Sequence, residues 1–104
     1  MHAATAEVPS KRTIRLAKWL LHYLQEAGKP VRLNDLFNVA GALGHVGTLR
    51  HGQDGKIWGN TARLFIAKDA VPVLVGADAG WVIGELQIDG RACWAAIRPA
   101  AFLA

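Results

Sequence analysis

Arg50, His51, Gln53, Lys56 and Asn60 fall within one stretch of eleven positions. Their side chains hydrogen-bond phosphate oxygens, and Arg and Gln can also match base edges. Gly47 and Thr48 stand just before them, and Gly52, Gly55 and Gly59 are interleaved with them. Glycine lets a backbone come close to a phosphate. The same set also suits a solvated loop. Other chemistry finds less support. His45 and His51 have no Cys, Asp or Glu between them, and a metal site needs three or four convergent ligands. Cys93 has no base or orienting group nominated by its neighbours, so it reads as a small buried hydrophobe. The segment Gly41-Ala-Leu-Gly44-His-Val-Gly47 lacks the Lys-Ser/Thr of a phosphate-binding loop and follows a helix, not a strand. The expectation is a non-enzymatic protein with no cofactor and no metal. Among Trp19, Trp58, Trp81 and Trp94, Trp58 lies in the glycine-rich stretch and is the candidate for a protein interface.

Composition sets the partners such residues could meet. The chain has 104 residues, 52% apolar and 19% charged, with net charge +4. That length is one domain. The positive balance favours anionic partners such as nucleic acid or the acidic face of a protein. The low charged fraction leaves apolar surface that a homodimer or a docked partner would cover. The single cysteine excludes an internal disulfide and fits a reducing compartment. No apolar segment precedes the basic residues near the N-terminus, and no apolar run approaches the roughly 20 residues of a membrane span. The expected location is the cytoplasm, and the richness in Ala, Gly and Arg suggests a bacterial or mobile-element origin.

The elements that must position these residues follow in order. Positions 1–9 read as a flexible arm, and 10–104 as one α+β domain. Ser10 or Thr13 can cap a helix running to about Ala27, whose apolar stripe is Ile14, Ala17, Leu20, Leu21 and Leu24. Lys11, Arg12, Arg15 and Lys18 lie in its first two turns. Gly28 suits the position just past the helix, and Pro30 forbids continuation. Val31 to Leu33 allows a brief strand. Asn34 can cap a second helix to about Ala40. The six glycines from Gly41 to Gly59 disfavour a long helix, each costing about 1 kcal/mol in a helix interior; a short helical turn over Val46 to His51 and a loop at 52–55 are expected. Thr61 to Lys68 suits a helix or a strand, with the alanines and an Asn60 cap favouring helix. Val71 to Val75 reads as a strand, with Pro72 pointing to an edge position or to the first residues of the strand. Trp81 to Pro99 reads as two strands joined at Asp89-Gly90, since a type I′ turn needs positive φ at both central positions. The result is a three-stranded antiparallel meander after the helices. The apolar tail, 100–104, is expected to pack against the fold.

Leu36, Ala40 and Gly44, spaced by four, resemble the helix-turn-helix pattern in which a small residue lets two helices approach and glycine makes the turn. A helix ending in Gly-Lys-Pro, a short strand, a second helix, a third helix and a terminal hairpin together resemble the order of a winged helix-turn-helix domain. That resemblance implies DNA binding, with a recognition helix in the major groove and a wing on the backbone. It implies that Thr48, Arg50 and His51 face the groove and that Arg91 beside the Asp89-Gly90 tip is the wing's phosphate contact; Lys56, from the basic and polar set, joins them as a candidate contact by its residue type. A small DNA-binding regulatory protein is the leading expectation. The alternative is a protein-interaction module, such as a phage or plasmid accessory protein, that docks on a host protein or on itself.

Overall fold

The computed structural model describes residues 8–47, 49–51, 53, 57–59 and 61–98. The first helix, α1 (Lys11–Ala27), begins where a side chain replaces a missing backbone partner. Ser10 Oγ accepts the Thr13 N–H at 3.1 Å and donates to Thr13 Oγ1 at 3.0 Å. The helix stops at Gly28, whose φ of +64° is the left-handed conformation that glycine enters without a Cβ penalty. Its amide closes the last turn on Leu24 O at 3.2 Å. Leu16, Ala17, Leu20, Leu21 and Leu24 are buried, close to the stripe expected from the sequence, with Ile14 packed at its margin.

Pro30 sends the chain into β1 (Val31–Arg32), and α2 (Leu33–Ala42) follows at once. Asn34 therefore lies inside α2, not at its cap. The cap position is Arg32, with no side-chain hydrogen bond, because Val31 and Arg32 are held extended by strand pairing. Gly44 and Gly47, with φ of +78° and +79°, turn the chain away from any helical continuation. The helical turn expected over Val46 to His51 is absent: β2 (Leu49–His51) and β3 (Ile57–Gly59) form a two-stranded antiparallel ribbon. The loop expected at 52–55 falls outside the described residues except for Gln53, which lies in a turn.

Helix α3 (Ala62–Ala70) resolves the Thr61 to Lys68 ambiguity as helix. Val71 to Val73, expected as strand, is instead a 3-10 turn. Pro72 has no amide to donate to a ladder, and its fixed φ suits the first positions of a helical turn. A second 3-10 turn spans Gly76–Asp78. Two long strands follow, β4 (Val82–Ile88) and β5 (Arg91–Ile97). Asp89 and Gly90 between them have φ of +53° and +73°, as a type I′ turn requires.

The fold is α+β, with helices mostly before a three-stranded antiparallel sheet. The third strand is not the segment at 71–75 but β1, which pairs with β5 so that the order is β1-β5-β4. Val31 and Glu85 oppose Trp94, and Arg32 and Leu86 oppose Cys93. Directly opposed residues share a sheet face. One face carries Ile83, Trp94 and Ala96 into the helical core with Leu20, Leu36 and Leu64. Trp94 is 1% exposed and meets Phe65 of α3 edge-on, with ring centroids 5.2 Å apart. The other face carries Arg32, Leu86, Ile88, Arg91, Cys93 and Ile97. Cys93 is buried there, while Leu86, Ile88 and Ile97 are exposed. The tail, 100–104, lies outside the described residues. Among the described residues, no helix is long and apolar enough to cross a membrane.

Candidate nucleic-acid interface

The residues singled out in the sequence fall on two separate sheets. Arg50 and His51 belong to the β2–β3 ribbon, where the register sets Arg50 opposite Trp58 and His51 opposite Ile57. The recognition helix implied for Thr48, Arg50 and His51 is thus replaced by a strand at Arg50 and His51. Glycine is the cause: Gly44 and Gly47 take a backbone conformation that no helix contains. Thr48 and Lys56 lie outside the described residues. Arg91 opens β5 in the three-stranded sheet and is exposed. It lines a hollow of about 410 Å³ with Arg32, Leu33, Asn34 and Ala92. Arg32 stands opposite Cys93, two positions along β5 from Arg91, so the two guanidiniums share one sheet face.

A second cationic surface was not assembled by the sequence pattern. Helix α1 carries Lys11, Arg12, Arg15 and Lys18 in its first eight residues and no acidic residue in its first turn. One hollow of about 390 Å³ is lined by Arg12 and Leu16 together with Ala62, Arg63 and Ile66 of α3. A neighbouring hollow of about 230 Å³ is lined by Arg12, Arg15, Leu16, Gly44 and His45. Arg12 and Leu16 line both, so the two hollows adjoin across α1 as a groove in two parts. Among the described residues, no carboxylate lines either part. The available signal was the run of cations at the start of α1. That end of a helix dipole is positive, and cations there are locally unfavourable by a few tenths of a kcal/mol each.

His45 is held in this groove from two directions. Its backbone N–H donates to Ala40 O at 2.8 Å, which closes the turn after α2. Its ring lies 4.6 Å from the Trp19 ring centroid, and Trp19 stacks in turn on Tyr23 at 5.4 Å. His22 is engaged elsewhere, with Nε2 2.8 Å from Asp78 Oδ1. Among the described residues, no three of His, Cys, Asp and Glu converge. The arrangement can bind anions through arginine. No protein-family model, no curated protein and no solved structure matches this chain.

Proposed function

We propose that this chain is a small non-enzymatic DNA-binding protein with a winged-helix-like arrangement and a regulatory role. The observation that carries the proposal is the β2–β3 ribbon, which places Arg50 and His51 on a paired strand between α2 and α3. A two-stranded ribbon fits the major groove as an α-helix does. The order helix, strand, helix, ribbon, helix, hairpin keeps the helices and terminal hairpin of the winged-helix arrangement, with the ribbon inserted between α2 and α3 and β1 closing the sheet against β5. In this reading Arg50, His51, Thr48 and Lys56 contact DNA from the ribbon and its flanks. Arg91, on the same sheet face as Arg32, contacts a phosphate. The net charge of +4 and the free thiol of Cys93 fit a nucleic-acid partner in a reducing cytoplasm.

The test is fluorescence anisotropy of labelled mixed-sequence duplex DNA at 50 and 200 mM salt. Binding at the lower salt that weakens steeply at the higher supports the proposal, and no binding at 50 mM overturns it. A double Arg50→Ala, Lys56→Ala variant that keeps full affinity removes the ribbon from the site. One observation favours a second reading, a protein-interaction module. Leu86, Ile88 and Ile97 form an exposed apolar strip on the sheet face away from the helices, which a second copy or a partner protein would cover. Such an interface barely responds to salt, and Leu86→Ala would weaken it without adding a charge beside Arg91.

A further inference from the structure

We infer that the groove across α1, walled by Arg12, Arg15, Arg63 and His45, seats the phosphodiester backbone of the nucleic acid that the ribbon engages. This rests on the DNA-binding reading and extends it to a surface on the helical layer.

Three observations converge. The first is charge without internal use. The described ion pairs join His22 to Asp78 and Lys68 to Asp69 and Glu85. None of the described carboxylates pairs with Arg12, Arg15 or Arg63. Arg12 and Arg15 are exposed and Arg63 is half-buried. Arg12 stands in the first turn of α1, at the positive end of its dipole, where local preference opposes it. Departures from local preference without a structural gain are expected at functional surfaces.

The second observation is continuity with the ribbon. The chain leaves the groove wall at Gly44 and His45 and enters β2 at Leu49. It leaves β3 at Gly59 and returns to the wall at Ala62 and Arg63. On each side only a few positions of chain separate the ribbon from residues that line the groove, so a duplex held by the ribbon would lie close to α1.

The third is the chemistry of the lining. Leu16, Ala62 and Ile66 make an apolar floor against which sugar faces can lie, between guanidiniums able to hold phosphate oxygens in bidentate fashion. The cationic stretch has an end. Beyond Ser10 and Ile66 the surface reaches Asp69, which is exposed. A strand would cross α1 from His45 to Arg63 and leave before that carboxylate.

The experiment measures DNA affinity at 50 and 200 mM salt, on two unrelated duplexes, for the whole chain and for Arg12→Ala, Arg15→Ala, Arg63→Ala and the triple variant. Each lost phosphate contact removes about 0.9 from the log–log salt slope, which is about 3.5-fold of the salt response over this range. The triple variant should lose about 40-fold of that response. The loss should be the same on both duplexes, because phosphate contacts carry no sequence information. Replacing the three arginines by lysine should keep most of the slope. The exposed single variants, Arg12→Ala and Arg15→Ala, decide the matter even if the triple variant does not fold. If the unaltered chain binds DNA and these variants keep its affinity and slope, the groove is overturned and the DNA-binding reading stands. If the unaltered chain binds no DNA at 50 mM salt, the DNA-binding reading itself has failed. If polyglutamate at equal charge concentration displaces the duplex as well as unlabelled duplex does, the groove belongs to an acidic protein partner and the inference is overturned.

Discussion

Trp94 ties the sheet to the helices, and its replacement should show how much of the fold depends on that contact. Among the described residues it is the largest side chain that is fully buried, at 1% exposure. It stands on the central strand of the sheet, opposite Val31 on one neighbour and Glu85 on the other. Phe65 meets its edge at 5.2 Å, and Lys68 Nζ sits 5.9 Å from its ring centroid. Truncating a buried tryptophan to alanine costs about 3–5 kcal/mol through lost transfer energy and the cavity left behind. The edge-on pair with Phe65 adds about 1 kcal/mol. A domain of this length has a total stability of about 5–15 kcal/mol. Trp94→Ala should therefore bring the fold near its limit. In urea, with a slope of about 1–3 kcal/mol per molar, a loss of about 4 kcal/mol lowers the midpoint by about 2 M. Trp94→Phe should cost much less, and a cycle of Trp94→Phe with Phe65→Leu isolates the ring pair. Trp81 supplies the contrast. It is only partly buried, with Arg98 over its ring at 5.7 Å, so Trp81→Ala should cost less than half as much. A Trp94→Ala midpoint within about 0.3 M of the unaltered chain would refute the placement of Trp94 at the centre of the core.

Other perturbations have smaller expected effects. Ser10→Ala removes the acceptor for the Thr13 amide and should destabilise by about 1 kcal/mol, measured by thermal melting; no change would mean that α1 starts elsewhere. Gly84→Ala puts a Cβ against the Ile97 side chain. Ile97 is exposed and can swing aside, so the cost should stay near or below 1 kcal/mol, and Gly84→Ala should become cheaper in an Ile97→Ala background, a coupling read from urea midpoints of the four chains.

The parts of the fold that were legible in the sequence are those decided within a few residues. Ser10, Gly28 and Pro30 bracket α1 because a cap, a left-handed glycine and a missing amide each act locally. Asp89-Gly90 marks its turn for the same reason. What could not be read depended on distant partners. Val31 and Arg32 are too short to declare a strand, and only pairing with Cys93 and Trp94, some sixty residues later, makes them one. The run Val71-Pro72-Val73 has the composition of a strand, yet Pro72 lacks the amide that a ladder needs and suits a 3-10 turn. Helical expectation at 46–51 failed because glycines on both sides leave too few residues to nucleate a helix, while a partner strand at 57–59 was available. At the candidate site, Arg50 and Arg91 could be singled out by type and spacing. The groove could not, because Arg12, Arg15, His45 and Arg63 meet only when α1, α3 and the turn after α2 pack together.

The most direct test of the DNA-binding proposal is the dependence of duplex affinity on salt for the unaltered chain. A protein that engages DNA through several phosphates loses affinity linearly in log–log coordinates, by about 0.9 for each phosphate neutralised. With Arg12, Arg15 and Arg63 in the groove and Arg50 and Arg91 beyond it, a slope of about −3 to −5 is expected between 50 and 200 mM salt. A slope near zero, or no binding at 50 mM, would contradict it.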